Sequence, residues 1–243
     1  IIIGNGFWME PRIWEKKLHK FVYGAPEIAL PMFACAETHD TERIAGRDGG
    51  KTLARMVTVL NMLLPNLVPF INSGQEVYEA QPMNTGVDCT EQDKYHLDKE
   101  DPFYGKLALF DKYAFHYNVP DRWEIADHLD GIKQIRAKWL NQITDLAYYV
   151  PIYFQEFDTP AIGVSYFDNV SKKCLLVVAN SNPYASIDCS ATLHVLREKT
   201  GNHQTQGKLL YATYEMGRDY HEFSPDGKVY FHLGAGEVKI IEM

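Results

Sequence analysis

Two nearly continuous apolar runs, residues 28–36 and 67–72, flank one amphipathic stretch, and no other feature of the chain constrains its fold as tightly. A strand that is apolar on both faces must be covered on both, which is the condition of a parallel sheet. The stretch between the runs begins at Gly49 and Gly50, places Leu53, Met56, Val57, Leu60 and Leu64 on one helical face, and stops before Pro65. Upstream, Ile1-Ile2-Ile3-Gly4 reads as a further buried strand, and Trp14, Leu18, Phe21 and Val22 follow Pro11 at helical spacing up to Gly24. Strand and helix therefore alternate, as in parallel βαβ units with right-handed crossovers.

From residue 73 to 130 this rhythm breaks into sequence rich in Asp, Tyr, Pro and Gly. An excursion of that length on the C-terminal side of a strand is a functional feature more often than a structural one. Ile132, Ile135, Trp139, Ile143 and Leu146 then restore helical spacing. Beyond residue 150 the pattern changes to short strands at 161–167, 175–180, 191–196, 208–214, 229–233 and 237–242, with Asp226-Gly227 as a hairpin signal. The expected organisation is a parallel α/β part over residues 1–149 and an antiparallel β-sandwich over 150–243.

Composition narrows the partners. A net charge of -8 with no run of Lys or Arg excludes a phosphate-tracking surface, so neither nucleic acid nor an anionic membrane is expected. A neutral or cationic ligand fits better. No apolar run reaches the ~20 residues needed to cross a bilayer. Cys35, Cys89, Cys174 and Cys189 form no C-x-x-C pair, so no zinc or redox motif is signalled, no cofactor is called for, and a reduced cytoplasmic chain is the default. The chain opens on a buried strand without an initiator Met, from which we expect sequence upstream, a signal peptide among the possibilities.

In parallel α/β architectures the chemistry gathers where strands end at their carboxyl side. Two segments hold that position. Ala36-Glu37-Thr38-His39-Asp40-Thr41-Glu42-Arg43 follows the first run, and Asn72-Ser73-Gly74-Gln75-Glu76 follows the second. A carboxylate there can act as nucleophile, as acid or base, or as a fixed charge facing a cationic transition state, and His with Arg can bind hydroxyls or keep the carboxylate ionised. The plain alternative is a capped turn with an ion pair.

The run Phe33-Ala34-Cys35-Ala36-Glu37-Thr38-His39-Asp40, with Arg43, resembles the His-Asp motif after the seventh barrel strand of the α-amylase superfamily, glycoside hydrolase family 13. Pro69-Phe70-Ile71-Asn72-Ser73-Gly74-Gln75-Glu76 is similar to that family's eighth strand and its Gly-x-Glu turn. Together with the element order, the resemblance implies a partial (β/α)8 TIM barrel, its last three β/α units, followed by an antiparallel β-sandwich. It implies further an α-glucan or maltooligosaccharide substrate and a retaining mechanism with an oxocarbenium-like transition state. Asp40 would be the catalytic carboxylate that stabilises that state, with His39, Arg43 and Glu76 binding substrate. Thr38 stands where the family usually has Asn, which puts the donor-site specificity in question.

The family's nucleophile and general acid follow strands that do not occur in this chain, so the resemblance implies a fragment inactive alone. Three strands cannot close an eight-strand barrel, and the exposed edge calls for the missing N-terminal part of the barrel or for self-association. A rival reading is a noncatalytic carbohydrate-binding or scaffold protein that reuses the fold. Among secondary features, Trp8, Tyr78, Phe103, Tyr104, Tyr113, Tyr117 and Trp123 are core aromatics or sugar platforms. Asp88, Asp93, Asp98 and Asp101 read as a solvated acidic loop, and the histidines beyond His39, His96 and His116 among them, as surface or satisfied core groups without metal-ligand spacing.

Overall fold

The computed structural model describes residues 19–28, 30–39, 41–82, 90–107, 115–214 and 217–243. The opening strand expected at residues 1–4 lies outside them, as do Trp8, Asp88, Cys89 and Tyr113. Helix α1, described over residues 19–24, leads through a 3-10 turn to strand β1 (Met32–Cys35), and helix α2 (Gly50–Asn61) crosses to strand β2 (Leu67–Phe70). β1 and β2 run parallel, in register from Met32 opposite Leu67 to Cys35 opposite Phe70. Both strands are shorter than their apolar runs. Leu30 before β1 is 75% exposed, and the chain past β2 enters a turn at Gly74.

Helix α2 buries the face its sequence predicts, through Leu53, Met56, Val57 and Leu60. Ala54 and Val59 are buried as well, because the helix is covered on a second side by the β part. The helix expected over 132–146 is in fact two, α3 (Glu124–Lys138) and α4 (Leu140–Thr144). Trp139, buried between them with a non-helical φ of -106°, breaks the run. α3 begins earlier than predicted because Ile125, Leu129 and Ile132 continue the stripe at i, i+4 and i+7 within a polar sequence.

The remainder is a β-sandwich. Strands β3 (Tyr149–Ile152), β4 (Ala161–Phe167), β5 (Cys174–Asn180), β7 (Gln206–Ala212), β8 (Tyr220–Glu222) and β10 (Val238–Glu242) form one antiparallel sheet in the order β3-β4-β5-β10-β7-β8. Strands β6 (Ile187–Thr192) and β9 (Lys228–Leu233) form the facing pair. β4 and β5 are buried at every residue. Their alternating side chains serve two cores: Ile162, Val164, Leu175 and Val177 pack toward α2 and α3, while Leu176 and Val178 pack toward Val229, Phe231 and Leu233. The sheet is therefore a middle layer, and the helical and β parts share one core.

One predicted strand is corrected. Residues 191–196 do not form a single strand, since β6 ends at Thr192 and helix α5 (His194–Thr200) follows. Leu193 and Leu196 lie three apart, so a helical turn rather than a strand brings both to the sandwich core. Strands β3 and β8 carry no strong sequence signal and were not predicted. No closed barrel forms among the described residues. Cys35, Cys174 and Cys189 are buried and free, and no described helix is long and apolar enough to cross a membrane.

Candidate functional site

Because β1 and β2 are parallel and adjacent, the segments that follow them emerge at one rim. The first polar side chain past β1 is Glu37, which is fully buried. Its Oε1 accepts from Arg43 Nη1 at 2.5 Å and from Asn72 Nδ2 at 3.1 Å, and its Oε2 accepts from the Ile44 backbone N–H at 2.7 Å. Arg43 is 1% exposed and continues the network, donating from Nη1 to the Ser73 carbonyl at 2.8 Å and from Nε to the Gln81 carbonyl at 3.2 Å. Its guanidinium stands 5.5 Å from the Phe115 ring centroid. A single buried ion pair thus ties the loop after β1 to the turn after β2 and to the long excursion.

The predicted site residues fall on and around this hub. His39 is exposed, on the turn just past Glu37. Asp40 lies outside the described residues. Arg43, grouped with the substrate-binding residues by sequence, is sealed from solvent with Nη1 and Nε engaged by the protein, which gives it a positioning role. Glu76 is half-buried: Oε2 accepts from the Gly74 N–H and Oε1 from the Tyr117 hydroxyl, both at 2.9 Å. Burial first, and then that hydrogen bond, push the Tyr117 hydroxyl up to about 12. Glu76 also lines a cleft of about 520 Å³ with Ser73, Trp123, Asp127 and Lys133.

The turn carrying Glu76 needs Gly74. Its φ is +93°, and a Cβ there would meet Glu79 Cγ at 2.6 Å. Gln75 fixes the turn from beneath, accepting from the Asn72 N–H at 3.2 Å and donating to Thr58 Oγ1 of α2 at 2.7 Å. Beside it lies a group that sequence reasoning missed. The buried His116 has Nδ1 at 2.9 Å from both oxygens of Glu79 and Nε2 at 2.9 Å from Asp101 Oδ2. His116 is thus the satisfied core histidine of the two readings offered. Asp101 is not a free loop acid, since it bonds His116 and accepts from the Phe103 N–H. Glu79 and His116 are 37 residues apart, and no local pattern announces such a pair.

Trp123 and Tyr117 meet at 5.6 Å between ring centroids, and Trp123 Nε1 donates to the Tyr117 carbonyl at 3.0 Å. Two half-exposed rings beside a cleft with carboxylates offer a flat apolar face and hydrogen-bond acceptors together, which suits a sugar ring. Further along the rim, Glu42, Asp93 and His96 converge. Burial pushes the Glu42 carboxyl above its usual range, Arg47 opposes this, and Asp93 pushes it up again.

No protein-family model matches the sequence, and no curated protein matches it. Solved structures do. An acarbose-soaked debranching enzyme from Nostoc punctiforme matches over 97% of this chain and 39% of its own, with a TM-score of 0.53 and 16% identity. A γ-CGTase from alkalophilic Bacillus clarkii matches over 99% of this chain and 30% of its own, with a TM-score of 0.53 and 16% identity. An α-amylase from H. orenii matches over 99% of this chain and 46% of its own, with a TM-score of 0.57 and 15% identity. The chain spans less than half the length of these three structures. In fold, then, the chain is similar to part of each of these enzymes, with a parallel strand pair and its helices packed on an antiparallel β-sandwich.

Proposed function

We propose that this chain supplies one rim of the active site of an α-glucan-acting retaining glycosidase or glucanotransferase. Asp40 is the carboxylate that stabilises the oxocarbenium-like transition state, and His39 binds hydroxyls of the same sugar. Glu76 lines the approach, and Arg43 acts through Glu37 to hold the two rim segments at a fixed separation. The observation that carries the reading is the buried Glu37–Arg43 pair, which joins both strand-end segments at one rim. Its support from the fold is the likeness to a debranching enzyme, a CGTase and an α-amylase.

The nucleophile and general acid belong to other strands of the same barrel, so the 243-residue chain alone does not turn over glucan. Its partner is the remainder of that barrel, or failing it a second copy. Phe33, Val68 and Phe70 are 60%, 45% and 39% exposed on one face of the β1–β2 pair, an apolar surface of the kind a barrel interior covers. Within the same proposal, residues 1–149 belong to the barrel and 150–243 to the sandwich.

The test combines two measurements on the purified chain. A chromogenic maltooligosaccharide should release no product, and titration with maltoheptaose should shift the His39 imidazole resonances in the wild type but less in Asp40→Asn. Glucan turnover by the chain would refute the fragment reading. A titration that leaves His39 unmoved would refute the sugar-binding rim.

A further inference from the structure

The structure assigns a divalent transition-metal site of the zinc class to Glu42, Asp93 and His96. Glu42 belongs to the loop after β1, whereas Asp93 and His96 belong to the excursion after β2, on and just past the 3-10 helix Glu91–Tyr95. One donor atom from each lies within 4.8 Å of the others. His96 Nε2 stands 3.3 Å from Asp93 Oδ1 and 3.7 Å from Glu42 Oε1. Zinc held tetrahedrally at about 2.0–2.2 Å from each donor separates neighbouring donors by about 3.3–3.6 Å. The two spacings from His96 Nε2 lie at or just beyond that edge, so the imidazole stands at ligand separation from each carboxylate.

The surroundings orient the donors as a metal site requires. Asp93 spends one oxygen on the protein and turns the other toward His96, and Glu42 turns one oxygen the same way. Asp93 Oδ2 accepts from the Thr90 N–H in a capping box, and Asp93 Oδ1 faces the imidazole. Glu42 Oε2 is 4.0 Å from Arg47 Nε, and Glu42 Oε1 faces the imidazole. Outer partners that hold a ligand's second oxygen are the usual companions of a ligating carboxylate. The three side chains are 15%, 15% and 28% exposed, which shelters them while leaving an approach for the ion and a bound water. His96 reaches this position over Gly46, where a Cβ would lie 3.2 Å from its Cδ2 and 2.5 Å from the Ala80 carbonyl oxygen.

One imidazole with two carboxylates selects against calcium and magnesium, whose hard ions favour all-oxygen shells, and in favour of zinc, cobalt or manganese. An ion there would lock the excursion to the β1 loop beside the Glu37–Arg43 hub. Its role there is to hold the rim's shape.

Isothermal titration of the metal-stripped full chain with ZnCl2 tests this. One zinc should bind per chain, CaCl2 at the same concentration should give no saturable heat, and the melting temperature should rise with zinc relative to EDTA. His96→Gln and Glu42→Gln should each weaken zinc binding at least about tenfold, while His232→Gln, which removes the exposed His232–Asp188 pair, should not. Should either site variant fail to fold, the visible absorption of Co2+ titrated into the wild-type chain replaces it, expected in the intensity range of a four-coordinate site. Absence of stoichiometric zinc binding, survival of that binding in both site variants, or a weak octahedral cobalt spectrum would overturn the assignment.

Discussion

Replacing Glu37 with Gln removes the charge from the hub while keeping its shape. The carboxylate accepts three hydrogen bonds, from Arg43 Nη1, Asn72 Nδ2 and the Ile44 N–H, all buried. An amide has one accepting oxygen and one NH2 group. If that oxygen takes the place of Oε1, the NH2 opposes the Ile44 N–H; if it takes the place of Oε2, the NH2 opposes Arg43 and Asn72. Either way at least one buried donor is orphaned, which costs about 1–3 kcal/mol. Arg43, 1% exposed, also loses its counter-charge, and breaking a buried pair by removing one partner costs about 3–5 kcal/mol in all. At about 2–4 °C per kcal/mol for a chain of this size, the melting temperature should fall by roughly 6–20 °C.

The assay is thermal and urea unfolding of wild type, Glu37→Gln, Arg43→Gln and the double variant, followed by far-ultraviolet circular dichroism. The double variant should lose less than the sum of the single losses, because each single variant already breaks the pair. Additive losses, or a Glu37→Gln shift below about 1 kcal/mol with the fold intact, would show that the pair does not hold the rim together.

Three further outcomes follow from other parts of the fold. Tyr166 is fully buried in β4 and donates its hydroxyl to the Leu63 carbonyl past α2, so Tyr166→Phe should cost about 1–2 kcal/mol by denaturant midpoint. Gly74→Ala combines a positive φ with a 2.6 Å approach to Glu79 Cγ and should destabilise by more than about 1 kcal/mol; it should also weaken glucan binding, measured by titration. Burial, and then Lys239, hold the His221 imidazole below its ordinary value, so the unfolded chain binds that proton more readily than the folded one. Stability should then be full above an unfolded value of about 6.5 and decline as pH falls through the folded value; in His221→Phe the loss of urea midpoint between about pH 7.5 and about pH 5.5 should be smaller.

Which parts of this molecule were legible in its sequence depends on the range of the forces that place them. The α2 stripe and the β1 and β2 runs are local patterns, and the parallel pairing follows from how such runs must be covered. The split of residues 191–196 into strand and helix was not legible, because Leu193 and Leu196 satisfy the same core from either geometry and only the neighbouring layer decides. The site divides in the same way. His39, Asp40 and Glu76 are proposed from their position after a strand, whereas the role of Arg43 depends on burial by Phe115 and on the Ser73 and Gln81 carbonyls, contacts made across 30 residues or more.

The same reasoning explains why the grouping of Glu79 with His116 and Asp101 was not legible, nor that of Glu42 with Asp93 and His96. Glu79, Asp101 and His116 meet within the excursion after β2, across 15 residues or more, whereas Glu42 meets Asp93 and His96 because β1 and β2 are parallel neighbours that deliver both loops to one rim. A search for metal-ligand spacing along the chain fails for donors separated by 51 residues or more, as Glu42 is from Asp93, since their proximity is a property of the sheet. The excursion after β2, unreadable as secondary structure, is thus the segment whose polar residues the sheet turns into buried networks. Deleting it should expose Arg43 to water and loosen the rim before it disturbs the sandwich, whose core residues are drawn from other elements.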